Sequence, residues 1–104
     1  QRWGCGALRN LTRKKKCWKH VLDTECIKVV NRAMRMYTAD IHVQQWGCAV
    51  LQSLAIDEFN RERIRELGGV EGVLRAMQEH LHDVGVQRGG CRALLNLAFT
   101  QGYG

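Results

Sequence analysis

From Val86 to Ala98 the chain places apolar or small residues at Val86, Gly90, Leu94 and Leu97, with Cys91 and Ala98 beside them. Steps of four, four and three fall on one face of an α-helix, so the pattern predicts a helix of about thirteen residues. Upstream, Val70, Val73, Leu74, Met77 and Leu81 mark a second amphipathic helix. Before that, Ile64 and Leu67 anchor a short first helix, for which Asp57 or Asn60 offers an N-cap. Gly68-Gly69 separates the two. A glycine just past the last periodic residue accepts the left-handed backbone that closes a helix, so the chain can turn sharply into the next one. The unit reads as helix, tight turn, helix, loop, helix.

That unit recurs. Sliding the chain by 43 residues superposes Gln1 to Leu11 (QRWGCGALRNL) on Gln44 to Leu54 (QQWGCAVLQSL), and that on Gln87 to Leu97 (QRGGCRALLNL). Gly4, Gly47 and Gly90 coincide, as do Cys5, Cys48 and Cys91, then Leu8, Leu51 and Leu94, then Leu11, Leu54 and Leu97. The stretch between obeys the same period: Arg32-Ala33-Met34 falls on Arg75-Ala76-Met77, and Asp40-Ile41-x-Val43 on Asp83-Val84-x-Val86. A period of this size is the signature of stacked helical repeats. The boundaries are then residues 1–12 for a third helix of a partial repeat, 13–55 and 56–98 for two full repeats, and 99–104 for the start of another.

Composition agrees with an all-α reading: the 104 residues hold no proline, which would break helices. With 45% hydrophobic and 25% charged residues the make-up is that of a globular chain, and no apolar run approaches the ~20 residues that span a bilayer. Neither an initiator Met nor a charged and apolar leader opens it, so a segment of a longer protein is expected. Five cysteines without a CxxC pair argue against a disulfide scaffold or a zinc ribbon and for a reducing compartment, cytoplasmic or nuclear.

The period, the three-helix unit, the IRELGGVEGVLRAM turn segment and the VQRGGCRALLNLA third helix together resemble the armadillo-repeat family over the whole chain. HEAT repeats are the nearest rival; they lack the separate short helix closed by Gly-Gly and usually carry a proline. The resemblance implies a right-handed α-solenoid of about two and a half armadillo-type repeats. Because each repeat buries its apolar face only against its neighbours, further repeats are expected at both ends, and without them the segment would expose apolar end faces and be marginal or self-associating.

It also implies a function: a protein-interaction scaffold that holds an extended peptide or partner segment along a concave groove of third helices. Members that bind nuclear-localisation peptides carry a Trp there and an Asn four residues on. The Asn positions here are Asn10, Ser53 and Asn96, but the Trp positions are Gly6, Ala49 and Arg92, which departs from that pattern. Trp3 and Trp46 stand three residues earlier on the same helical face, with Gly89 at the third such position. The expected groove stripe is Trp3, Gly6, Asn10, then Trp46, Ala49, Ser53, then Gly89, Arg92, Asn96, with Arg2, Arg9, Gln45, Gln52 and Arg88 at its margins. The alternative is that the indoles pack on neighbouring helices and the Asn residues only tie the backbone.

Charge supports a second reading. Residues 1–38 hold ten basic and two acidic residues, while 39–104 hold six and eight, so the net +6 is strongly lopsided. Arg13, Lys14, Lys15, Lys16 and Lys19 cluster in the loop expected after the first third helix, followed by Lys28, Arg32 and Arg35, with Trp18 as a possible stacking group. Such a patch suits nucleic acid, anionic lipid or an acidic surface; a solvated loop is the plain alternative.

No catalytic residue, metal or cofactor is expected. Cys17, His20 and Asp23 follow at steps of three along one helix, whereas productive Cys-His-Asp sets converge from separate elements. His80 and His82 diverge on a helix, and Cys17-x-x-His20 lacks a second pair of ligands for tetrahedral zinc. Cys5, Cys48 and Cys91 read as reduced core residues where consecutive third helices meet, Gly4, Gly47 and Gly90 permitting their approach. In the first full repeat Glu25-Cys26 replaces the Gly-Gly turn and Asn31 replaces Leu74, which predicts an irregular or continuous junction; ordinary repeat degeneracy is the first explanation of it, and a partner site in the irregularity the second.

Overall fold

The computed structural model describes the backbone of residues 3–99 and the side chains of residues 18–99. These fold into five α-helices: α1 Trp3–Met36, α2 Ile41–Leu54, α3 Glu58–Glu66, α4 Gly69–Glu79 and α5 Val84–Ala98. Among the described residues no helix is long and apolar enough to cross a membrane.

Three of the helices start on an aspartate. Asp40 accepts from the Val43 N–H and Asp83 from the Val86 N–H, at the heads of α2 and α5. Asp57 accepts from Phe59 and Asn60 at the head of α3. Each carboxylate satisfies N–H groups that have no partner within the helix and meets the positive end of its dipole. The turn into α4 is made by Gly68, whose φ of 85° lies in the left-handed region that a side chain disfavours.

Where those signals are missing the chain stays helical. The partial third helix, the loop after it and the first helix of the repeat at 13–55 were expected as separate pieces, with an irregular or continuous junction at Glu25-Cys26; α1 runs through all of them, continuous at that junction. One period before Asp57 stands Lys14, which has no acceptor for a helix cap, and one period before Gly68 stands Glu25. With neither a cap nor a left-handed turn, and with good helix formers from Arg13 to Lys16 across the first junction, helix propagation continues. The basic cluster therefore lies on a helix, not in a loop. Two smaller corrections concern the second unit: α4 ends at Glu79, leaving Leu81 outside it and exposed, and α5 begins two residues earlier than expected, at Val84.

The core is shared by all five helices or their ends. Ile27, Val30 and Met34 of α1 meet Cys48 and Leu51 of α2, with Ala55, Ile64, Val73, Ala76, Val86, Ala93 and Leu97 completing the cluster. The α2–α5 contact is the most extensive, and α1 packs against α2, α3 and α4. Two joints match at the 43-residue period. Gln44 donates to the Met34 and Tyr37 carbonyls (3.1 and 2.8 Å), and Gln87 to those of Met77 and His80 (2.8 and 3.0 Å). Beside each glutamine bond a glycine meets a methionine: a Cβ on Gly47 would lie 2.6 Å from Met34 Cγ, and one on Gly90 would lie 2.6 Å from Met77 Cγ. The close approach at these glycines is thus to the preceding helix, not to the next third helix as expected. The latter approach is made at Gly89, where a Cβ would sit 3.3 Å from Cys48 Cβ.

Burial corrects the cysteine reading. Cys48 is fully buried, and burial pushes its thiol up to about 11, so it stays protonated at neutral pH. Cys91 is exposed, because α5 covers Cys48 and no described residue covers Cys91 in the same way. Leu51 and Leu94 differ likewise: the first is fully buried, the second half-buried.

Two stability predictions follow from these contacts. Leu51→Ala should cost ~2–5 kcal/mol in urea unfolding, and Leu94→Ala distinctly less. Gly47→Ala should destabilise by ~1–3 kcal/mol through overpacking on Met34, whereas Gly72→Ala, whose Cβ would meet nothing within 4 Å, should stabilise by up to ~1 kcal/mol through helix propensity.

Candidate functional site

On α2 the residues Trp46, Ala49 and Ser53 follow at i, i+3 and i+7 and are all exposed; the indole retains 46% of its accessible surface. On α5 the matching residues divide. Arg92 is exposed, while Gly89 and Asn96 are half-buried and turned toward α2. Gly89 lets the two helices close over Cys48, and Asn96 Nδ2 donates to the Gln52 carbonyl at 3.0 Å. This amide is a fixed tie between third helices, as the alternative reading of the Asn positions has it. The side chains of Trp3, Gly6 and Asn10 lie outside the described residues; their backbone belongs to α1. The structure thus brings together the second and third rungs of the expected stripe, side by side and in register.

The margin of the stripe holds a bond that the sequence did not signal. Gln45 Nε2 donates to Asp83 Oδ2 at 2.8 Å, and the same oxygen accepts from the Val86 N–H at 2.8 Å. One carboxylate therefore caps α5 and fastens it to α2. The Gln45 donor first and the Val86 N–H second hold the Asp83 carboxyl below its usual value; desolvation opposes them, and His80 and His42 add lesser help. Hydrogen bonds to the charged form favour it. A second inter-unit tie joins the His80 ring Nε2 to the Thr38 carbonyl at 2.7 Å. The period itself held the clue to Gln44 and Gln87, which align with Gln1; Gln45 and His80 have no such signal, since their partners lie 38 and 42 residues away along the chain.

The remaining sequence candidates fall elsewhere. Lys19 and Trp18 are exposed on α1, Trp18 at 60%, whereas the side chains of Arg13, Lys14, Lys15 and Lys16 lie outside the described residues. Lys28 is paired with Glu25 at 3.1 Å. Of the Cys17, His20 and Asp23 row, the last two face α3 and are engaged there: His20 stacks on Phe59 with ring centroids 4.2 Å apart, and Asp23 accepts from Asn60 Nδ2 at 2.9 Å. The Cys17 side chain lies outside the described residues. Cavities near the end of α4 are lined by Ile41, Leu81, His82, Val84 and Cys91, an open apolar edge next to the α5 rung.

The Asp83 clamp generates a prediction with a definite sign. A carboxyl depressed in the folded state contributes stability that is complete above the ordinary Asp value of ~3.9 and is lost as pH falls through the lower folded value. Gln45→Ala should move the Asp83 titration, followed by side-chain carbonyl NMR, upward toward that ordinary value and make acid unfolding less steep. An unmoved titration would mean that the capping N–H alone sets it.

No family model, no curated protein and no solved structure matches the chain.

Proposed function

We propose that the chain is a segment of an armadillo-type α-solenoid, right-handed and of about two and a half repeats, that serves as a protein-interaction scaffold. Its binding surface is the row formed by Trp46, Ala49 and Ser53 on α2 with Arg92 beside it on α5. The observation that carries the reading is an exposed indole on a helix face whose neighbouring helix is locked in register by the Asn96–Gln52 and Gln45–Asp83 bonds. An exposed aromatic on a rigid support loses little entropy on binding, which is why Trp and Arg are enriched at the centres of interfaces. Ala49 leaves a gap beside the indole for a partner side chain, and the Ser53 hydroxyl is a donor and acceptor for an extended backbone. A free, exposed Cys91 thiol suits a reducing compartment.

A second reading has its own support. The basic run lies on α1, and a helix displays successive cations in a regular array; Lys19 and Trp18 continue it on the described surface. This face would bind nucleic acid or an acidic surface electrostatically, with affinity falling linearly against log salt.

Affinity capture on the immobilised chain, with and without nuclease, separates the two. Discrete proteins that survive nuclease and are lost with Trp46→Ala, at a melting temperature within a few degrees of the parent, support the groove. A catch that vanishes with nuclease or modest salt, or a Trp46→Ala variant that loses stability but not affinity, removes it.

A further inference from the structure

Between the C-terminal part of α1 and the start of α4 lies a cavity of about 190 Å³. Asn31 and Arg35 of α1 form one side, the Leu67–Gly68 turn the floor, and Glu71, Gly72 and Arg75 of α4 the other side. It stands apart from the row of Trp46 and Arg92, and its volume exceeds what one water requires.

Asn31 is 7% exposed, and its amide is only half used. Nδ2 donates to the Leu67 carbonyl at 3.0 Å, while the buried Oδ1 has no hydrogen-bond partner. An orphaned buried acceptor is costly, and the fold does not demand one here: the residue one period later is the apolar Leu74. The guanidinium groups of Arg35 and Arg75 take part in no ion pair among the described residues. Gly68 caps α4 without a side-chain hydrogen bond, so the positive end of an eleven-residue helix faces the same space, with the Glu71 carboxylate of its first turn close by: Oε1 would lie 3.9 Å from a Cβ on Gly68. Gly72 completes the hollow, since a Cβ there would meet nothing within 4 Å.

We propose that this cavity binds a carboxylate carrying an adjacent N–H donor, as the last residue of a peptide does. The carboxylate lies between Arg35 and Arg75 at the head of α4, and the neighbouring N–H donates to Asn31 Oδ1. Two guanidinium groups against the single Glu71 carboxylate leave room for one negative charge, and Glu71 disfavours a doubly charged phosphate. The donor requirement of Asn31 separates this ligand from a bare anion. Two sources share the chemistry, a peptide C-terminus and a free amino acid.

The test is a ¹⁵N-resolved NMR titration of the chain with N-acetyl-glycylglycine, its C-terminal amide, free glycine and inorganic phosphate. The acid should shift the amides of Asn31, Gly68 to Gly72 and Arg75, with the C-terminal amide weaker by about tenfold or more, the loss of one charge-assisted contact. Asn31→Leu, which places the residue found one period later, should weaken the acid by about tenfold. Gly72→Leu, which fills the hollow and leaves the Asn31–Leu67 bond in place, should abolish binding without lowering the melting temperature. Trp46→Ala should leave it unchanged, so that this site and the helix-face reading fail independently. Binding of the acetylated acid but not glycine assigns a peptide C-terminus, and equal binding of both assigns the shared group; each supports the proposal. It is overturned if no shifts develop up to the solubility of the acid, if phosphate binds as tightly, or if Gly72→Leu folds and binds as the parent does.

Discussion

The fold turns on how the carbonyls at the end of one helix are satisfied when the next helix must pack directly against it. The last turn of any helix leaves acceptors without partners, and at a buried junction water cannot serve them. Here a glutamine reaches back from the following helix and donates to two such carbonyls, at Met34 and Tyr37 from Gln44 and at Met77 and His80 from Gln87. Gln44 is almost fully buried, so the bond forms where the backbone acceptors are themselves hidden. Around each amide the other parts of the joint fall into place. An aspartate starts the next helix four residues earlier, and a glycine three residues later lets a methionine lie flat against the backbone.

Once two such joints exist, α2 and α5 are displayed as parallel neighbours, and what lies between them is decided by small residues and side-chain amides. Gly89 closes the gap, Asn96 and Gln45 fix the register, and the Asp83 carboxylate serves both its own helix and the contact. The exposed Trp46 face is therefore carried by polar ties on either side of it, not by a loop. The α1–α4 cavity is the converse case. There an amide stands in the place of an aliphatic residue and is left with an acceptor to spare.

How much of this was readable from residues alone depends on whether the determinant was local. Asp57 as a cap and Gly68 as a left-handed turn were legible, because each acts on its own next few residues. At Glu25 the missing glycine was legible as a junction that need not break; at Lys14 the information was equally local, and it was the strength of the period that argued for a break where that residue cannot make one. α1 shows propensity prevailing over repeat register. Burial was less legible. Cys48 and Cys91 hold the same place in the period, each after a glycine, yet are opposite in exposure, since what covers a residue is a property of its neighbour in space. In the stripe, Ala49 and Ser53 are as exposed as helical phase implied, but the use of Asn96 depends on a carbonyl 44 residues away.

The methionine–glycine contact also bears on how the protein meets oxidants. A thioether that gains an oxygen becomes larger, polar and chiral, and needs both space and a hydrogen-bond donor. Met34 sits against Gly47 with neither, shielded to 1% exposure; Met77, in the matching joint, is only half-buried. Oxidative damage would therefore enter through the second joint first, prising α5 from α4 while the α1–α2 joint still holds.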